Sequence, residues 1–95
     1  ALGTPCYMSP EQAAGLSITT ATDLYSLGAI LYHVLTGRPP FSGDSPLDVL
    51  RQVVSRDVPD PRAVNERIDR DLAMICLTAM HRDPSRRYAT ASAFA

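Results

Sequence analysis

The stretch Thr20-Ala21-Thr22-Asp23-Leu24-Tyr25-Ser26-Leu27-Gly28-Ala29-Ile30-Leu31-Tyr32-His33-Val34-Leu35-Thr36-Gly37-Arg38-Pro39-Pro40 decides how this chain folds. Leu24, Leu27, Ile30, Leu31, Val34 and Leu35 recur at steps of three and four, the spacing that stacks side chains on one side of a helix. Tyr25, Ala29 and Tyr32 occupy the remaining sides, so the pattern is apolar nearly all round. That predicts a buried helix over roughly Ala21 to Thr36 rather than an amphipathic surface one. Thr19 and Thr20 are N-cap candidates, and Asp23 stands three residues after Thr20 as an imperfect capping box. Gly37 supplies a left-handed C-cap, and Pro39-Pro40 forbids continuation.

Working outward, Pro10 after Ser9 suits the first turn of a short helix that runs through Ala14 and ends at Gly15. On the other side, Ser45 precedes Pro46 at a first helical position, with Asp48 in the first turn. There Leu47, Leu50 and Val54 give one apolar face, which Val49 and Val53 widen. The stretch from Asp57 to Asn65 contains Pro59 and Pro61 and is expected to be irregular. Another helix is expected from about Asp71 to His81, with Leu72, Ile75, Cys76 and Ala79 facing inward. Asp83-Pro84 stops it, and Thr90 is placed to cap a last helix. No segment alternates convincingly as a strand. The reading is all-α, about four helices and a fragment joined by proline-rich loops.

Composition sets the limits. The chain has 95 residues, 45% hydrophobic and 20% charged, with a net charge of −1. It is one small domain at most, or part of a larger one. All nine basic residues are arginine, so chemistry that needs a lysine ammonium lies outside these residues. Near-neutral charge and the absence of a recognition-helix pattern disfavour a nucleic-acid partner. Cys6 and Cys76, far apart and without a signal-like segment, read as reduced residues of a cytoplasmic protein. The apolar run from Leu24 to Leu35 is too short to span a bilayer, so no membrane contact is expected from this segment. His33 and His81 have no ligand-spaced companions, and no metal site is expected. Both ends read as cut: the chain opens on Ala1 without methionine and stops at Ala95 within an expected helix.

The motifs together carry a resemblance. Gly3-Thr4-Pro5-Cys6-Tyr7-Met8-Ser9-Pro10-Glu11-Gln12 resembles the substrate-positioning (P+1) loop of bacterial-type (Hanks-type) serine/threonine protein kinases, closing on a Ser-Pro-Glu variant of the family's Ala-Pro-Glu. Asp23-Leu24-Tyr25-Ser26-Leu27-Gly28 resembles the start of the helix that the family calls F. Leu35-Thr36-Gly37-Arg38-Pro39-Pro40-Phe41 resembles its end, and Asp83-Pro84-Ser85-Arg86-Arg87 resembles the loop between helices H and I. The resemblance implies that residues 1–95 are a partial kinase domain. They would be a C-lobe fragment comprising the end of the activation segment, helices EF, F, G and H and the start of I. The parent would transfer the γ-phosphoryl group of ATP, with Mg2+, to serine or threonine of a protein substrate. The N-lobe, the ATP lysine, the catalytic His-Arg-Asp loop and the magnesium-binding Asp-Phe-Gly would all precede Ala1. This segment alone is therefore expected to bind no cofactor, to carry no catalytic residue and to be inactive. Any membrane tether of the parent would lie outside it.

The resemblance also assigns roles. Thr4 would bond the catalytic aspartate and lysine of the parent, and Cys6, Tyr7 and Met8 would wall the site of the substrate residue after the acceptor. For Tyr7 and Met8, plain core packing is the competing reading. Asp23 would accept backbone N–H bonds from the catalytic loop; simple helix capping is the alternative. Glu11 and Arg87 would form an internal ion pair, since an arginine fork can hold a carboxylate through two parallel bonds. Three positions depart from the common pattern: Ser9 for alanine, Thr22 for serine and Ala21 for a basic residue. A non-catalytic reading, a pseudokinase remnant or helical interaction module, stands beside the enzymatic one.

Overall fold

The computed structural model describes residues 5–88, and among them every regular element is helical. The helices are α1 (Pro10–Ala13), α2 (Thr20–Thr36), α3 (Pro46–Ser55), α4 (Pro61–Val64) and α5 (Arg70–Ala79). Two 3-10 turns, Pro5–Tyr7 and Pro84–Arg86, flank them. The helix expected after Thr90 lies outside the described residues.

Proline and a polar cap start most of these elements. Ser9 Oγ accepts from Gln12 N at 3.1 Å while Gln12 Oε1 accepts from Ser9 N at 3.1 Å, a reciprocal box with Pro10 inside the first turn. Ser45 Oγ accepts from Asp48 N ahead of Pro46. The same device corrects the reading of 57–65 as wholly irregular: Asp60 accepts from Arg62 N at 2.9 Å, and Pro61 presets the backbone for the single turn of α4. At the start of α2 the cap is Thr19, whose N–H donates to Thr22 Oγ1 at 3.0 Å. The box expected between Thr20 and Asp23 does not form. Gly37, at φ 78°, closes α2 with its N–H donating to His33 O, as its left-handed role requires.

Two apolar clusters form the core. Tyr25, Ala29 and Tyr32 pack on Cys76 and Met80 of the α5 region, and Phe41 joins Val49 and Val53 of α3; Val58 touches both groups. The faces differ from those the sequence predicts. On α3 the buried residues are Val49 and Val53, while Leu47 and Val54 are exposed. On α5 they are Ala73, Cys76 and Ala79, and Leu72 is 42% exposed. Small residues win there because α5 lies against Gly28: Cys76 Sγ sits 3.4 Å from Gly28 O. A Cβ on Gly28 would fall 2.7 Å from Met80 Cγ and 3.0 Å from Ala79 Cβ. Finally, α2 is not covered all round. Leu27, Ile30 and Val34 are 45%, 51% and 75% exposed.

Candidate functional site

The 3-10 turn Pro5–Tyr7 is fastened to α2 and packed between the two clusters. Ser26 Oγ donates to Tyr7 O at 3.1 Å, and the Tyr7 hydroxyl is hydrogen-bonded to His33 Nδ1 at 2.5 Å. The two rings stack with centroids 5.9 Å apart. Tyr7 packs on the Tyr25–Tyr32 cluster, whereas Cys6 packs on the cluster of Phe41, Val49 and Val53. Cys6, Tyr7 and Met8 are all half-buried. Burial pushes the Cys6 thiol up, against a smaller opposing backbone hydrogen bond, so it is no activated thiolate. Thr4 lies outside the described residues.

Beneath the turn, Glu11 and Arg87 meet. Arg87 Nη1 donates to Glu11 Oε2 at 2.7 Å and Nη2 donates to Oε1 at 2.9 Å, a two-bond fork between buried side chains. Thr22 Oγ1 donates to Glu11 Oε2 at 2.9 Å. The remaining N–H groups of Arg87 reach His81 O at 2.7 Å, Ala21 O at 2.9 Å and Arg82 O at 3.4 Å. Its guanidinium carbon also lies 4.9 Å from the centre of the Tyr25 ring. Burial pulls the Glu11 carboxyl up, but hydrogen bonds from Arg87, the backbone and Thr22 together outweigh it and hold the group below its ordinary value. For Tyr25 burial dominates, and the hydroxyl is raised. Cys76, walled in by α2 and α5, is pushed up to about 12 by burial and is inert.

Asp23 stands apart from this network. It is exposed on the first turn of α2, and no described side chain or backbone group bonds its carboxylate. With Leu27, Ile30 and Val34 it forms one exposed stripe at helical spacing. The structure thus joins Glu11 to Arg87 and gathers Cys6 and Tyr7 above them, and it leaves Asp23 facing outward.

Two features of the site escape the sequence reading. Thr22, noted only as a departure, is the shared partner of Glu11 and of the Thr19 cap. Ser9 with Gln12 is a capping box whose S-x-x-Q spacing was available to read. A third feature matters for what it is not. His81-Arg82-Asp83 has the letters of a kinase catalytic loop, yet Asp83 accepts from Ser85 N at 3.0 Å and Ser85 Oγ at 2.7 Å, capping the turn at Pro84. Those bonds hold its carboxyl below the usual range. His81 Nδ1 accepts from Asp83 N. It is a loop-shaping tripeptide.

Among the described residues no three His, Cys, Asp or Glu side chains gather as metal ligands, and the chain has no lysine. No helix among the described residues is long and apolar enough to cross a membrane.

Comparison with known proteins gives the same outline. The family model described as the protein kinase domain matches residues 1–95. Serine/threonine-protein kinase PknB of Mycobacterium tuberculosis is 48% identical over 91 residues, covering 96% of this chain and 14% of its own length. The DNA damage-responsive serine/threonine-protein kinase RqkA of Deinococcus radiodurans is 46% identical over 94 residues, 99% of this chain and 14% of its own length. Among solved structures, the twitchin kinase region of C. elegans superposes with a TM-score of 0.84 at 30% identity, over 93% of this chain and 16% of that one. The autoinhibited serine kinase domain of titin gives 0.85 at 23% identity, over 96% of this chain and 28% of that one, a likeness of fold alone. The chain therefore spans a small part of each relative that it matches. The helices of the described residues are those of part of a kinase helical lobe, and the chain belongs to the protein kinase domain family.

Proposed function

We propose that these residues form the substrate-side floor of a serine/threonine protein kinase, which transfers the γ-phosphoryl group of ATP to a hydroxyl of a protein substrate. Their work is positioning. The turn at Cys6, Tyr7 and Met8, with Thr4 before it, presents the segment of substrate that follows the acceptor. Glu11 and Arg87 hold the end of that turn to the rest of the lobe. Mg-ATP and the catalytic carboxylates belong to parts of the kinase outside residues 1–95, and the segment is inactive alone. Two free cysteines fit a reducing, cytoplasmic setting for this part of the protein.

One observation carries the reading: the stripe of Asp23, Leu27, Ile30 and Val34, exposed along a helix whose other sides are packed. Apolar side chains in a row beside a carboxylate without a partner are the print of a surface that meets more protein. Asp23 there accepts backbone N–H groups of the catalytic loop, holding it in register with the substrate turn. The test is Asp23→Asn in the full-length kinase. The expected result is a fall in kcat of roughly a hundredfold, the scale set by misplacing reacting groups by about an ångström. Global stability should change by no more than about 0.5 kcal/mol if the exposed side chain has no structural partner in this lobe. Unaltered kcat in a folded variant would overturn the proposal. So would a full-length chain without phosphotransfer, which leaves the helical-module reading.

A further inference from the structure

A cleft of about 270 Å3 opens at the C-terminal end of α2, between the loop that follows Gly37, helix α3 and the segment leading to α4. Tyr32, Arg38, Phe41, Arg56, Asp57 and Val64 contribute to its wall. The wall is held in place by bonds that owe nothing to a ligand. Arg38 N donates to Thr36 Oγ1 at 3.2 Å, and Gln52 Nε2 donates to Ser42 O at 2.7 Å. Pro39, Pro40 and Pro59 stiffen the rim.

Three donors of this cleft, on Arg38, Arg56 and Tyr32, have no acceptor among the described residues. Neither Arg38 nor Arg56 forms an ion pair or side-chain hydrogen bond among the described residues. Asp57 also lines the cleft; its exposed carboxylate lies 3.9 Å from Arg82 and bonds neither arginine of the wall. Tyr32 is 1% exposed, and its hydroxyl has no hydrogen-bond partner among the described residues. Burial raises that hydroxyl, as does the nearby negative charge of Asp60, while the charge of Arg38 acts the other way; the phenol is therefore protonated and able to donate. The unpaired hydroxyl is not among the sealed polar atoms of the fold and so is open to the cleft, and the two arginines on the same wall favour an anionic partner.

We propose that this cleft is a docking pocket for a phosphorylated serine or threonine side chain of a peptide. A phosphoryl group brings a charge of about −1.5 to −2 and three acceptor oxygens, which match two guanidinium groups and one phenol. Phe41, Val64 and the prolines supply contact for the short apolar stem. A carboxylate carries a smaller charge and only two acceptor oxygens against the phosphoryl group's three. This is a binding role distinct from phosphotransfer and needs no nucleotide, so it stands or falls separately from the catalytic reading.

The experiment uses the full-length protein and three short peptides that differ only at one position: phosphothreonine, threonine and glutamate. Line broadening of the 31P resonance reports binding of the first, and the other two are added as competitors. Broadening should appear with wild type and fall at least about tenfold in apparent affinity in the Arg38→Ala/Arg56→Ala double variant, the loss expected for charge-assisted bonds. Tyr32→Phe removes only the hydroxyl and should weaken binding several-fold while the thermal midpoint stays in place. Competition by the threonine peptide, or wild-type affinity in the double variant, would overturn the pocket. Equal competition by the glutamate peptide would overturn the phosphoryl assignment in favour of an acidic side chain.

Discussion

Arg87 has five N–H groups, and each meets an oxygen of Glu11, Ala21, His81 or Arg82. Lysine, with three donors on a point-like ammonium, can copy neither the fork nor the count. Because both partners are buried, removing one strands the other's charge. Arg87→Met should cost about 3–5 kcal/mol in urea denaturation, and Arg87→Lys should recover less than half of that. The paired change Glu11→Met/Arg87→Met should cost less than the two single changes added together, since neither charge is left alone. The same series read against pH tests the ionisation of Glu11. Its folded value lies below the unfolded one, so its contribution is fully present above the unfolded carboxyl value of about 4.3 and disappears as pH falls through the lower folded value. Wild type should therefore lose its advantage over Glu11→Gln below about pH 4. An advantage unchanged down to pH 3 would remove the ion pair from the stability of the fold.

At the scale of elements, Gly28 decides how closely α5 approaches α2. A methyl group there would press on Met80 Cγ and Ala79 Cβ, so Gly28→Ala should destabilise the fold by about 1–3 kcal/mol despite alanine's better helix propensity. An increase in thermal midpoint would mean that Met80 makes room without loss. This contact also explains what the sequence could and could not reveal. Element ends were legible, because Ser9, Ser45, Gly37 and the prolines are local signals whose chemistry acts within one turn. The Glu11–Arg87 pairing entered through motif resemblance, since nothing local ties residue 11 to residue 87. Which side of a helix faces inward was less legible. The residues of α5 that meet the bare backbone of Gly28 are the small Cys76 and Ala79, whereas the larger Leu72 is left 42% exposed. Likewise Thr22 was read by its difference from serine, when its hydroxyl serves a carboxylate eleven residues away. The one turn of α4 was missed because Pro59 and Pro61 were both read as breakers, although Pro61 stands where a proline starts a helix.

For the whole molecule, the uncovered stripe sets the behaviour of the 95-residue chain. Leu27, Ile30 and Val34 in a row, with nothing described above them, form a surface that water disfavours. The isolated chain should self-associate or stay loosely packed in sedimentation and thermal melts. Replacing Ile30 and Val34 with glutamate should shift it toward monomer, and the same change should abolish folding of the full kinase. A monodisperse wild-type monomer with a sharp, reversible transition would contradict this.

The Arg87–Glu11 fork has one more consequence, which concerns force. It clasps together positions 76 residues apart, near the two ends of the described chain. A pull from the C-terminal side meets the clasp before any 3-10 turn or helix can peel, whereas one from the N-terminal side must first part Tyr7 from Ser26 and His33. Once the fork opens, about 250 Å of backbone becomes free to extend, at roughly 3.3–3.6 Å per residue. In a protein loaded along its length, this fork would act as a latch on the elements between its two ends.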